Sequence, residues 1–569
     1  MTWYFIDEPD EYYFGSYDLT QLKTDQFYLD VNFSSFDDKI HLYYLNEECV
    51  GCPYLLKPFN NGVPLTTNLK LKLANTYQNF LPQDQTENVV CDLDHNFGQF
   101  GVYGVQNVSN VCELTVLKEA VNINTAIIPV IAIYTILILF GCLIVGVWRK
   151  CKKDSEDDHD KNKEKGTTKM RVGSLDTFRG FIIVMMIFAN FGCGNYEYLN
   201  HAIWNGLHFA DLIFPSFVWI MGVCIPISLA SMFKKNLVNR ELMLTILKRS
   251  AKLFLLGVFL GGGVDLSYLR IFGVLQRFGI AYLVVSLICI LTMDRSSPDI
   301  DSEIDEPSRL KLYFSDILRT YVGWIFVIII TALHTIIIFS VAAPGCPSGY
   351  LGPGGLHQNR SYQNCTGGAT GYIDGLILGN HRYQHPTIYR VYEARPFDPE
   401  GVVGCLTTIL QAYLGVQAGV TLLVYKKHSE RLFRWLLWGI GTGLAGGALC
   451  GFSKEDGIIP VNKNLWSLSF VLVTSCFAFT FLSLCYVLVD YKKLWTGKPF
   501  LFAGMNAILM YIGHEMTENH FPVRWYPHNE YSEDHRHTHY NALLSDTWGA
   551  AFWLFVSYYL YKIKYFLVI

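Results

Sequence analysis

The chain is short of charge. Only 17% of its 569 residues are Asp, Glu, Lys or Arg, against roughly 25% in an average soluble domain. It has no basic stripe interleaved with aromatics, and its formal net charge of −4 is close to neutral. Nucleic acid is therefore not an expected partner. Cys49-Val-Gly-Cys52 has no second CxxC and no nearby histidine pair, and the spacing of His381 and His385 is not that of zinc ligands, so no metal is expected. The Gly-rich stretch "CPSGYLGPGGLHQNRSYQNC" lacks a strand–turn–helix context, which excludes a phosphate loop. The opening "MTWYFIDEPD" is acidic and holds no apolar run, so it does not read as a signal peptide. Export is then expected to rest on a later span or on residues outside this sequence.

What is abundant is apolar surface. Hydrophobic residues make up 51% of the chain and aromatics 15%, with a mean hydropathy of +0.24. This composition predicts a polytopic α-helical membrane protein. Residues 1–123 alternate short apolar and polar runs such as "QFYLDVNFS", broken by turn signals such as Asn61-Gly62, and predict a small β-rich domain. A first span follows at 124–148, then a charged stretch, 149–171, that reads as a flexible cytosolic linker. Residues 172–569 predict ten more spans, near 176–194, 209–232, 245–263, 273–292, 318–342, 402–424, 432–452, 466–489, 498–514 and 547–563, about eleven in all. No convincing internal repeat is visible.

Charge sets the expected orientation in the bilayer. Lys234-Lys235, Lys248-Arg249, Lys426-Lys427, Arg431, Lys492-Lys493, Lys562 and Lys564 fall on alternate connections, which the positive-inside rule makes cytosolic. The N-terminal domain and the 343–401 loop then face a lumen, and the C-terminus faces the cytosol. Four sequons, at Asn32, Asn107, Asn359 and Asn364, lie on the lumenal side as expected glycosylation sites. So do the disulfide candidates Cys49, Cys52, Cys91 and Cys112, whose pairing is open among three arrangements, and Cys346 with Cys365.

Polar residues inside or at the mouth of a span are costly and mark candidate chemistry. Asn190 lies near the end of the second span, His201 follows eleven residues later, and Asp211 follows ten after that at the entry to the third. A tight turn would bring the three together. A histidine can serve as general base or acyl acceptor, a carboxylate can fix its tautomer, and an amide can donate to an oxyanion. The competing reading makes His201 an interfacial hydrogen-bonder, Asp211 a helix cap and Asn190 a packing residue. Arg277 reads equally as an anion ligand or as a partner of Asp265. Asn506 and His514 are eight apart, on one face of a single span. Lys463 stands at a lumenal mouth in "IIPVNKNLW".

Several long motifs carry a resemblance: "SLDTFRGFIIVMMIFANFG", "NHAIWNGLHFADLIFPSFVWIMG", "GVLQRFGIAY", "PGCPSGYLGPGG", "CTGGATGYID", "FDPEGVVG", "VNKNLWSLSFVL" and "GMNAILMYIGHE". From about residue 170 to the C-terminus the chain resembles the heparan-α-glucosaminide N-acetyltransferases, lysosomal transmembrane acetyltransferases. Cys193 departs from a run that is glycine-rich in that family. The resemblance implies transfer of acetyl from cytosolic acetyl-CoA to the amine of a terminal non-reducing glucosamine of heparan sulfate. It implies His201 as the active histidine, Asn190 as its partner, a lysosomal membrane setting and a homodimer. Asp211 is the expected orienting carboxylate. Arg179, Arg249 and Arg277, with Asn506 and His514, are the expected acetyl-CoA contacts, and Trp204, Asn205 and Lys463 the expected acceptor contacts. A secondary transporter using His201, Asp211 and Arg277 as an ion path is the alternative.

Overall fold

The computed structural model describes residues 13–36, 39–85, 87–109, 111–153, 172–235, 238–261, 265–293, 313–517, 520, 522 and 538–567. It is a mostly helical membrane protein with a β-rich N-terminal region. The linker expected at 149–171 lies outside the described residues from 154 onward.

The N-terminal alternation folds as two larger sheets beside a two-stranded hairpin, Tyr13–Phe14 with Tyr17–Asp18. Strands β1 (Gln26–Val31), β4 (Pro64–Thr66), β8 (Val102–Val108) and β9 (Val111–Lys118) form one, in the order β9-β8-β1-β4. Strands β2 (His41–Asn46), β3 (Tyr54–Lys57), β5 (Leu69–Ala74), β6 (Phe80–Leu81) and β7 (Val89–Leu93) form the other, in the order β6-β3-β2-β5-β7. Every second residue of β5 and β1 points inward, so Phe27, Leu29, Val31, Leu69, Leu71 and Leu73 share one core. Cys91 and Cys112 are bonded, as are Cys49 with Cys52 and Cys346 with Cys365.

The second sheet docks on the membrane-spanning part. Tyr43, Cys49, Cys52 and Tyr54 pack in one cluster with Trp204, Ile388, Tyr392, Phe397 and Leu465. The Tyr392 hydroxyl donates to the Glu48 carbonyl at 2.9 Å and accepts from the Val50 N–H at 3.1 Å.

The helices are α1 (Ile127–Lys153), α2 (Gly173–Phe191), α3 (Ile213–Phe233), α4 (Asn239–Leu260), α5 (Val274–Thr292), α6 (Tyr321–Ser340), α7 (Gly368–Leu378), α8 (Gly404–Val424), α9 (His428–Leu449), α10 (Leu468–Tyr486), α11 (Phe500–Met505), α12 (Ala507–Thr517) and α13 (His539–Lys562). Among the described residues seven helical segments, in α1, α2, α3, α5, α6, α8 and α10, are long and apolar enough to cross a bilayer on their own. The other four expected spans are helical too, but charged or polar residues interrupt α4, α9 and α13. The segment expected as one span at 498–514 is broken. Asn506 leaves the helical region (φ −124°, ψ 28°), ending α11. Its side chain instead donates to the Tyr565 carbonyl at 2.9 Å and accepts from the Leu567 N–H at 3.2 Å, tying down the C-terminal tail.

Helix α8 is the axis, buried on nearly every side. It meets α3 at backbone distance: a Cβ on Gly222 would overlap the Ala412 carbonyl, and one on Gly415 would overlap the Trp219 carbonyl. Small residues let two membrane helices approach closely where lipid supplies no hydrophobic drive. Around this contact Trp219, Phe178, Phe479, Tyr413 and Trp435 form the main core.

Candidate active site

The loop between α2 and α3 opens at Gly192, whose φ of 120° ends the helix. It closes with a single 3₁₀ turn, Phe209–Leu212, that feeds α3. Asp211 lies in that turn, fully buried. One oxygen accepts from the N–H groups of His208 at 3.0 Å and Ala202 at 3.1 Å. The other lies 2.8 Å from Nδ1 of His201. Asp211 thus closes the start of the turn with one oxygen and faces the His201 ring with the other. A carboxylate at Nδ1 favours the Nδ1–H tautomer of the neutral ring, which puts the lone pair on Nε2.

Lys463 completes the cluster from the loop before α10. Its ammonium lies 2.9 Å from Nδ1 and 3.2 Å from Nε2 of His201, and 3.7 Å from Asp211. Burial and the Lys463 charge hold the His201 pKa below its usual 6.5, against the opposing pull of Asp211. The His201 side chain is still 40% exposed, through the cavity it lines.

The two loops are laced together. Asn205 and Asn462 form a short antiparallel bridge, and the Gly206 N–H donates to the Val461 carbonyl at 2.8 Å. The Asn462 amide donates to the Asn205 side chain at 3.0 Å, which itself donates to Glu455 at 2.6 Å. Trp204 donates to the Leu351 carbonyl at 3.0 Å and packs edge-on against Phe397. Neither Trp204 nor Asn205 lines the cavity; they hold the His201 loop in place.

The cavity, about 580 Å³, runs along α2. At one end stand His201, Lys463, Asn190, Glu400, Arg270 and Glu515, and at the other Arg179 and Arg249. Asn190 and Arg179 are eleven residues apart on one helix, so roughly 16 Å separates the ends. Ile183, Met186, Phe217 and Met221 line the middle. Asn190 donates to Glu515 at 3.1 Å. Arg179 donates to the Gly504 carbonyl at 3.3 Å and to Cys224 Sγ at 3.1 Å, and lies 3.4 Å from Asp176. Arg249 is exposed and rests over the Tyr282 ring.

Three expected contacts lie elsewhere. Arg277 does not line the cavity and does not pair with Asp265, whose carboxylate caps Ser267. Asn506 anchors the tail, and His514 is buried against Phe191. Sequence reasoning missed Glu400 and Arg270. Arg270 makes a two-pronged bond to Asp398, at 3.0 and 2.6 Å, and also donates to Glu400. Burial would raise the Glu400 carboxyl, but Arg270, Arg277 and Lys463 hold it below its usual range. The clue was an acid-rich turn, "FDPEG", far along the chain from the arginine in "YLRIF". Among the described residues no three His, Cys, Asp or Glu side chains gather as metal ligands.

A family model described as "Heparan-alpha-glucosaminide N-acetyltransferase, catalytic" matches residues 171–297. The heparan-alpha-glucosaminide N-acetyltransferase of Mus musculus is 35% identical over 594 residues, covering 96% of this chain and 89% of the relative. That of Homo sapiens is 35% identical over 596 residues, covering 96% and 88%. The chain belongs to the heparan-α-glucosaminide N-acetyltransferase family. The stretch matched by that family's catalytic model contains Arg179, Asn190, His201, Asp211 and Arg249 but not Lys463, Glu400 or Glu515, which reach the same cavity from later in the chain.

Proposed function

We propose that this protein transfers acetyl from acetyl-CoA to the amine of a terminal non-reducing glucosamine of heparan sulfate, across a lysosomal membrane. The observation that carries the reading is one cavity with a histidine–carboxylate pair at one end and arginines at the other, joined by an apolar middle. That order fits the donor. The phosphates of CoA are anions suited to Arg179 and Arg249, and its thin pantetheine arm suits the apolar stretch. The thioester would then meet His201.

Chemistry follows from the geometry. Nε2 of His201 takes a proton from the acceptor nitrogen as that nitrogen attacks the thioester carbonyl. A C–N bond forms, the C–S bond breaks, and the CoA sulfur leaves with the proton that His201 returns. Asp211 stabilises the transient imidazolium. Asn190 has a second N–H on Nδ2 beyond the one given to Glu515, and it steadies the carbonyl oxygen. The Lys463 charge favours neutral His201, which matters in an acidic lumen where an ordinary histidine would be protonated. Support for the lumenal assignment of this end is the alternation of basic clusters with sequons, of which Asn32, Asn359 and Asn364 are exposed while Asn107 is half-buried in β8.

The test is CoA release by purified protein given acetyl-CoA and glucosamine at mildly acidic pH. Release is expected to need glucosamine and to vanish in His201→Ala. Sustained acceptor-independent release, beyond one CoA per protein, or an active His201→Ala, would overturn the reading. Radiolabelled acetyl retained on the protein without acceptor would replace direct transfer by an acetyl-histidine intermediate.

A further inference from the structure

Behind the loop that carries Glu400 lies a second polar junction, outside the cavity. Arg277, on the first turn of α5, is 1% exposed. Its Nη2 donates to the Gly401 carbonyl at 2.9 Å, and its guanidinium lies over the Trp466 ring at 4.9 Å. Nε and Nη1 of Arg277 make no hydrogen bond of good geometry, and the thiol within reach of the guanidinium, that of Cys405, is a weak partner. Asp374, on α7, is 2% exposed. Its Oδ1 accepts from the Val403 N–H at 3.1 Å, the Val402 N–H also lies close to the carboxylate, and Oδ2 makes no hydrogen bond of good geometry. A Cβ on Gly401 would overlap that Oδ2, and one on Gly404 would crowd Nη2 of Arg277. One short turn of chain therefore presses against both charged groups. His334, midway along α6, is 1% exposed and neither ring nitrogen has a partner. The Arg277 charge reaches His334, Asp374 and Cys405 alike.

Buried polar atoms are nearly always paired. Five unpaired ones on three side chains around a single guanidinium call for an occupant. We propose that this junction binds a small monovalent inorganic anion, held between the free N–H groups of Arg277 and a ring N–H of His334. An ionised Asp374 would repel it, so Asp374 takes up a proton as the anion enters and adds a fourth donor. Burial raises the Asp374 carboxyl to about 6, opposed by the Val403 N–H, the Arg277 charge and the Val402 N–H and reinforced by Asp398. The other titratable groups felt there are Arg382 and Cys405, with His334 facing Arg277. While Asp374 is ionised, it and Arg277 balance, and water suffices to link them.

The probe is chloride against gluconate at equal ionic strength, read as the thermal unfolding midpoint of the full chain in detergent. Chloride is expected to raise the midpoint at pH 5. Its apparent affinity is expected to be about 30-fold weaker at pH 7.5, because a site open only to the protonated carboxyl loses tenfold per pH unit above the pKa. Asp374→Asn, neutral at any pH, is expected to respond to chloride equally at both. Equal midpoints in chloride and gluconate at pH 5 would overturn the proposal and leave water as the occupant. So would a pH-dependent chloride effect that survives unchanged in Asp374→Asn. Should that variant fail to fold, the two-pH comparison on the native chain still decides.

Discussion

Arg270 and Arg277 are seven residues apart, and the 398–401 turn touches both, yet they end in opposite settings. Arg270 is the more fully paired, with Nε and Nη2 gripping Asp398 through two bonds and Glu400 through another. Arg277 keeps two nitrogens, Nε and Nη1, without a hydrogen bond of good geometry. The first arrangement fixes a carboxylate at the rim of the cavity, where reacting groups must hold still. The second leaves bonding capacity open, which a buried site does at a cost unless something fills it.

The largest effect should come from breaking the more fully paired side at its catalytic end. Asp211→Asn keeps the shape but lets His201 take the wrong tautomer. Acetyl transfer is expected to fall about 10²–10⁴-fold, measured as kcat for CoA release, and a loss under tenfold would remove Asp211 from the mechanism. Next, Arg270→Met strands Asp398 and Glu400 as buried acids. Removing one partner of a buried charge pair costs about 3–5 kcal/mol, so the unfolding midpoint should drop by several degrees at pH 7 and recover in part as the pH is lowered and the acids become neutral.

On the open side, Asp374 makes stability depend on pH. Its folded pKa of about 6 lies above that of an unfolded aspartate, so the folded chain binds the extra proton. This stabilisation is complete below about pH 4 and is lost as pH rises through 6. It amounts to at most about 3 kcal/mol. Asp374→Asn should flatten that slope in denaturation curves taken between pH 4 and 7, and a slope unchanged by the substitution would show Asp374 to be ordinary. The smallest expected effect is a shift rather than a loss. Removing the Lys463 ammonium raises the His201 pKa, so Lys463→Met should move the acid limb of the kcat profile to higher pH. An acid limb that stays put would mean that Lys463 does not tune the base.

Much of this comparison was legible in the chain, and the reasons for the rest are physical. His201 and Asp211 are ten residues apart with a helix start between them, so local geometry brings them together. The β region was visible as alternation because one face of each strand is buried. By contrast Lys463, Glu400 and Glu515 reach His201 or Asn190 only after the whole bundle packs, and no local pattern encodes that. Arg277 was expected as an acetyl-CoA contact or as a partner of Asp265, and the fold buries it outside the cavity instead. Which side of a loop it faces depends on Gly401 and Gly404, whose close approach to Asp374 and Arg277 exists only in the folded chain. The break at Asn506 was hidden because the apolar run continues straight through it, and the signal for it lies sixty residues away in a tail carbonyl. The pairing of Cys91 with Cys112 was one of three open choices until β7 and β9 were placed side by side.

The bridge between Asn205 and Asn462 has a mechanical consequence. His201 and Lys463 belong to loops before different helices, α3 and α10, yet the bridge makes those loops one frame. Bilayers vary in thickness and membrane helices answer by tilting. A frame that spans two helix tops shares such a tilt between them, so base and ammonium travel together and their spacing is insulated from the lipid around them.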